Sequence, residues 1–178
     1  VFDDGGPKGT DVLRNAIGGC LSALAGSTLL FAPHANSFDR LVPDAHAPTG
    51  IAWAYENRTS AIRVPAGSPA ARRIEHRVAG GDVNPYLALA AILGAALNGI
   101  EKQIEAPAPI TGNAYAQNLP QLPGTWRDAI EAFASSDDMR AIFPAELIEN
   151  FLLTKRQELH YMAELSPEQQ VELYLDTV

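Results

Sequence analysis

Asn84-Pro85 opens a run, residues 86–104, in which apolar side chains fall on every side of a helix. The pair is a strong start signal. Asparagine can cap the first free amides, and proline fits the first helical position because its missing N–H would have no partner there. A helix without a polar face is buried centrally, so this one is expected to back a sheet, with Gly99 marking a bend.

Three upstream segments supply that sheet. Residues 51–55 alternate large and small side chains, residues 60–64 form a second candidate after a turn at Asn57 and Arg58, and residues 72–78 form a third. In the third, Ile74, His76 and Val78 alternate with Arg73, Glu75 and Arg77. Side chains two apart on a strand share a face at about 6.6 Å, so one face is apolar and the other ionic, with Glu75 and Arg77 projecting together and Arg73 beside them.

Elsewhere the period is helical. Residues 11–25 place Leu13, Ile17, Leu21 and Leu24 on one stripe, and helices are expected over 125–135 and 145–165, the latter with Ile148, Phe151, Leu152, Leu159 and Met162 inward. Ser166-Pro-Glu-Gln169 combines an N-cap, a first-position proline and a capping-box glutamine, and starts a last helix. Residues 33–48 and 107–123 read as loops, the second running over the surface. The fold class that follows is α+β, an antiparallel sheet from the strands near Ile51, Ser60 and Arg72, covered by the helix after Asn84 and by a mostly helical C-terminal half.

At 178 residues, 47% of them hydrophobic, the chain can build one packed core. No apolar run reaches the roughly 20 residues that span a bilayer. A net charge of −8 argues against general nucleic-acid binding, which uses a broad basic surface. The lone cysteine, Cys20, lies in an apolar stretch; it favours a reducing compartment, hence the cytoplasm, and a packing role. Against the acidic balance, Arg58, Arg63, Arg72, Arg73 and Arg77 gather around Glu75. Guanidinium forks match phosphate and carboxylate bidentately and stay charged, so a small polyanionic ligand is expected, and the glutamate could hold a metal ion. An ordinary surface ion-pair ladder is the alternative.

Four blocks in order, Asn36-Ser-Phe-Asp-Arg-Leu-Val-Pro43, Asn57-Arg-Thr-Ser-Ala-Ile-Arg-Val-Pro65, Arg73-Ile-Glu-His-Arg77 and Asn84-Pro-Tyr-Leu-Ala-Leu-Ala-Ala91, resemble the glutamine synthetase family. The resemblance is strongest over residues 36–104. It implies that residues 1–178 are the C-terminal portion of a catalytic domain that forms a γ-glutamyl amide by way of γ-glutamyl phosphate, using glutamate, ATP, an amine and Mg2+ or Mn2+. By similarity, Arg40 binds the α-carboxylate of glutamate, Arg58 the phosphoryl group in transfer, Arg63 and Arg73 the ATP phosphates, and Arg77 the γ-carboxylate and its phosphate. Glu75 is then the metal ligand. Arginines and divalent metals stabilise the charge that develops in phosphoryl transfer.

Two departures bear on chemistry. Where ammonia-using members carry an acidic residue, this chain has His46 in Val42-Pro-Asp-Ala-His-Ala-Pro48, a group able to accept a proton but weaker at attracting a cation. The expected nucleophile is therefore a polyamine or another amine, as in γ-glutamyl-amine synthetases, with ammonia the alternative. Ala70 stands where an ATP-contacting lysine is expected after Ser68-Pro69. Tyr115 reads as a loop aromatic, His76 as a packed residue, and His34 and His160 lack companions at metal-ligand spacing.

The family's remaining metal ligands and the neighbouring subunit's part of the site have no counterpart in these residues. The chain is thus expected to be a catalytically inactive piece of a protein that assembles into a ring-shaped homo-oligomer, unless it is a non-catalytic phosphate- or carboxylate-binding module.

Overall fold

A computed structural model describes residues 1–177, and the elements run in the order α1 (Asp11–Phe31), β1 (Trp53–Tyr55), β2 (Ile62–Val64), β3 (Glu75–His76), α2 (Pro85–Glu101), α3 (Trp126–Ser135), α4 (Asp137–Ile142), α5 (Ala145–Met162) and α6 (Pro167–Thr177). The α+β class holds, with helices dominating and a small three-stranded sheet in the order β1-β2-β3.

The sheet is mixed rather than antiparallel. β2 and β3 run antiparallel, but β1 and β2 are parallel, Trp53 lying opposite Ile62 and Tyr55 opposite Val64. The reason lies in the connection, residues 56–61. Glu56 takes a left-handed backbone, φ 59°, and Asn57 closes a turn by accepting from the Thr59 amide at 2.9 Å, so the chain doubles back and enters β2 from the end where β1 began. Alternation reveals a strand but carries no information about its direction. The free edge of β1 is covered by the long loop, whose Ile110 amide donates to the Trp53 carbonyl at 3.0 Å while the Ile51 amide donates to Pro120 at 2.7 Å.

A second correction concerns the centre of the molecule. The helix buried on nearly all sides is α1, which continues to Phe31 and packs against α2, α3, α4 and β2. Its four expected stripe residues, Leu13, Ile17, Leu21 and Leu24, are all buried, and so is Cys20, whose thiol is pushed up to about 12 by burial. By contrast α2 buries only Ala88, Ala91, Ala95 and Gly99, its small face, against α1. Glycines let the two backbones meet: a Cβ on Gly19 would lie 2.1 Å from the Ala95 carbonyl, and one on Gly99 would lie 2.2 Å from that of Asn15. Tyr86, Leu89, Leu93 and Leu97 consequently face outward, while Leu87 and Ile92 pack partly against the core. Its cap is as expected, Asn84 accepting from the amides of Tyr86 and Leu87.

The C-terminal helices also start where the capping chemistry places them. Thr125 accepts from the Asp128 amide before α3, and Ser166 and Gln169 exchange the reciprocal bonds of a capping box before α6. Among the described residues no helix is long and apolar enough to cross a membrane.

Candidate functional site

The ionic face forms where β2 meets β3. Arg63 and Glu75 are direct cross-strand partners, and their side chains join, Nη2 to Oε2, at 2.9 Å. Arg77 approaches the other carboxylate oxygen, Nε to Oε1, at 3.6 Å. Glu75 therefore lies between two guanidinium groups, each oxygen facing one of them.

Arg77 does more than pair. Its Nη1 donates to the carbonyl of Arg58 and, at 3.2 Å, to that of Ser60, while Nη2 donates to the His46 carbonyl at 3.4 Å. One side chain thus ties β3 to the 57–60 turn and to the loop carrying His46. Burial lowers the pKa of Arg77, and Arg63 and Arg58 push in the same direction against the pull of Glu75. The guanidinium nevertheless stays charged.

Other expected residues lie around this group with different surroundings. The Arg58 side chain is exposed at the turn whose carbonyl Arg77 holds. His46 is exposed and has a left-handed backbone, φ 64°, as does Asp44. Arg73 precedes the short strand and is exposed, its Nη1 donating to the nearby Ala71 carbonyl at 3.4 Å. The third strand is shorter than expected, Glu75–His76, and follows a 3-10 turn at Pro69–Ala71. Arg40 closes a short 3-10 segment, Ala35–Arg40, and donates from Nη2 to the Phe31 carbonyl at 2.8 Å. Its Nε is buried with no hydrogen-bond partner, and burial lowers its pKa although Asp82 opposes the shift. Gly80 permits that placement, since a Cβ there would lie 2.8 Å from Arg40 Nε and 2.3 Å from Asp82 Oδ1.

Two residues to which no individual role was assigned, Arg72 and Tyr115, have defined surroundings of their own. Arg72 helps line a cavity of about 570 Å3 with Tyr55, Glu56, Pro65, Gly67 and Ser68, and its side chain is nine-tenths buried. Its Nη2 donates to Gly6 at 2.8 Å, whereas Nη1 is buried without a hydrogen bond and lies 3.9 Å from Asp4. Its place among five arginines was visible in the sequence, but its depth was not. Tyr115 donates to the Ala47 carbonyl at 2.8 Å, anchoring the 42–48 loop, and its phenol pKa is raised by burial while Arg77 pulls it down. Beside Arg58, a second cavity of about 690 Å3 is lined by Asn57, Thr111, Gly112 and Asn113.

A divalent metal does not fit these residues alone. Hard cations take six or more oxygens, and no group of three or more His, Cys, Asp or Glu side chains that could hold an ion occurs among the described residues. Glu75 could contribute one ligand of a set completed from elsewhere. What the group offers unaided is a positively charged, half-buried surface suited to an anion bearing several oxygens.

The model of the glutamine synthetase catalytic domain matches residues 1–174. Gamma-glutamylethanolamide synthetase GlnA4 of Streptomyces coelicolor is 43% identical over 150 residues, covering 84% of this chain and 32% of that protein. Gamma-glutamylputrescine synthetase PuuA of Escherichia coli is 31% identical over 175 residues, 98% of this chain and 37% of the relative. The glutamine synthetase of Aquifex aeolicus is 36% identical over 172 residues, 90% and 37%. Among solved structures, GmaS without ligand superposes with a TM-score of 0.80 at 28% identity, over 95% of this chain and 40% of that one. The chain therefore spans between about a third and two-fifths of the length of these relatives. A match over almost its entire length makes this chain a member of the glutamine synthetase family, within the catalytic domain.

Proposed function

We propose that this chain forms part of an ATP-dependent ligase that joins glutamate to an amine through its γ-carboxylate. The supporting observation is the Arg63–Glu75–Arg77 group, two guanidinium groups converging on one carboxylate in a glutamine synthetase catalytic-domain fold. In the proposed reaction a γ-carboxylate oxygen attacks the terminal phosphorus of ATP and ADP leaves. The amine nitrogen then attacks the acyl carbon, phosphate departs and the nitrogen loses a proton.

In this reading Arg77 and Arg58 meet the phosphoryl oxygens, while Arg63, Arg73 and the buried Arg72 serve the nucleotide phosphates. Arg40 takes the α-carboxylate. Fixed donors of this kind stabilise charge without reorganising, which is the largest contribution a protein makes to phosphoryl transfer. Mg2+ or Mn2+ supplies charge neutralisation at the phosphates, and Glu75 is its one ligand here. The other ligands come from outside the described residues, so the isolated chain is expected to have no ligase activity. A purified chain that forms γ-glutamyl amides from glutamate, ATP, Mg2+ and an amine would refute that.

His46, exposed on its loop, replaces a carboxylate and is assigned as proton acceptor for an amine nucleophile. Similarity to an ethanolamide and a putrescine ligase favours an amine over ammonia, while similarity to glutamine synthetases keeps ammonia as the second reading. Steady-state assays of the full-length protein with ethanolamine, putrescine, spermidine and ammonium separate the two: kcat/KM highest for an organic amine supports the reading, and preference for ammonium removes the role given to His46. A cytoplasmic location and a ring-shaped homo-oligomer complete the proposal.

A further inference from the structure

Residues 42–46 are exposed, and the chain re-enters the core at Ala47 and Pro48. Asp44 and His46 both have a φ of 64°, a left-handed backbone that side chains other than glycine resist, so the loop keeps this shape only where something outside it holds on. Its own backbone adds one bond, from the Ala45 amide to the Val42 carbonyl at 3.3 Å. Arg77 reaches the His46 carbonyl at 3.4 Å, and Tyr115 donates its hydroxyl to the Ala47 carbonyl at 2.8 Å. The tyrosine makes the shorter bond, on the residue next to His46.

Tyr115 is itself moored to the turn that carries Arg58. Asn57 donates from Nδ2 to the Gly112 carbonyl at 2.7 Å, Thr59 donates its hydroxyl to Asn57 Oδ1 at 2.7 Å, and the Ala114 amide donates to that same hydroxyl at 2.9 Å. The two residues flanking Arg58 thereby grip the strap 112–114. Asn113 then accepts from the Tyr115 amide at 3.0 Å in a short 3-10 turn, which fixes the backbone that bears the ring. Hydrogen bonds thus run unbroken from the Arg58 turn to the His46 loop.

We propose that Tyr115 is a positioning residue for the amine step: its hydroxyl holds His46 at a set place relative to Arg58, so that the proton acceptor meets the nucleophile beside the acyl phosphate. The inference rests on the ligase reading and on the role given there to His46. In this scheme Tyr115 touches no substrate and acts only through the loop. Without its hydroxyl the loop loosens, and a misplaced reacting group costs rate steeply. Phosphorylation of glutamate, which comes first and does not use His46, is left as it was.

The test is a double-mutant cycle of Tyr115→Phe and His46→Ala in the full-length protein, with ethanolamine and putrescine as amines. Tyr115→Phe is expected to lower kcat/KM for the amine roughly ten-fold, while KM for ATP and glutamate-dependent ADP formation without amine stay within about two-fold. In the His46→Ala background the same substitution is expected to change kcat/KM for the amine by less than about two-fold, because the group it positions is gone. Equal losses in both backgrounds overturn the proposal, and so do unchanged amine kinetics in Tyr115→Phe alone. Amide exchange is the readout independent of turnover: Tyr115→Phe is expected to speed exchange over residues 42–48 and leave residues 57–64 unchanged, and unaltered exchange over 42–48 also overturns it. A wild-type protein that forms no γ-glutamyl amide from either amine removes the ligase reading, and this inference with it; an active wild type that Tyr115→Phe matches sinks the inference alone.

Discussion

Arg77 shows how much one side chain can organise. It faces the Glu75 carboxylate and donates to three carbonyls on two separate loops, a set that a lysine ammonium on a flexible stem cannot span. Arg77→Lys is expected to destabilise the chain by about 1–2 kcal/mol, read by urea denaturation, and to lower kcat of the proposed ligase reaction in the full-length protein by roughly 10²-fold or more. His76 is the complementary case. Its ring packs against Phe31, centroids 4.4 Å apart, its Nδ1 is buried without a partner, and burial lowers its pKa from 6.5 to about 4. The neutral ring is the buried form. Between pH 6.5 and 4 the unfolded state binds a proton that the folded state refuses, so stability contributed above pH 6.5 is lost as pH falls towards 4. The loss is expected to be about 3 kcal/mol across that window. His76→Phe should flatten the slope of denaturation free energy against pH there, and an unchanged slope would remove His76 as its source. The sequence told both residues apart, since alternation sends Arg77 to the ionic face and His76 to the apolar one. It did not show that Arg77 bonds to the backbone, because those carbonyls belong to residues 17 to 31 positions away.

Among the elements, the α1–α2 pair carries the packing. The helices approach closely because Gly19 and Gly99 face each other, and a methyl on either meets backbone that cannot move aside. Gly19→Ala is expected to cost about 3 kcal/mol, seen as a lowered Tm, with Cys20 becoming reactive as α2 is unseated. α6 is held both by a local cap and by one tertiary anchor. Its capping box supplies two reciprocal bonds, and Tyr174 donates to Glu158 at 3.3 Å and accepts from the Ala35 amide at 3.1 Å. Ser166→Ala is expected to weaken that helix by about 1 kcal/mol, measured as faster amide exchange over residues 167–177 with the α1 core unchanged. Caps and stripes of this kind were legible because they act within one helical turn. The parallel pairing of β1 with β2 was not, because it is set by a left-handed Glu56 and the path of one loop.

For the whole molecule, the single carboxylate amid arginines has a direct consequence. Titrating the isolated chain with Mg2+ to millimolar concentration is expected to give no saturable calorimetric signal, since the described residues include no further clustered ligands. Tight binding would show that Glu75 recruits a set the geometry does not contain. By itself the sequence determined the helix starts, the stripe of α1, the split between ionic and apolar faces of residues 72–78, and the family. All of these are written in residue type at short, fixed spacing. Only the tertiary structure decided which helix is central, which face of α2 stays bare, that Arg77 ties two loops together, and that Arg72 lines a cavity. Those outcomes depend on how closely backbones distant in sequence approach, and small residues such as Gly19 and Gly99 set that distance without leaving a periodic signal.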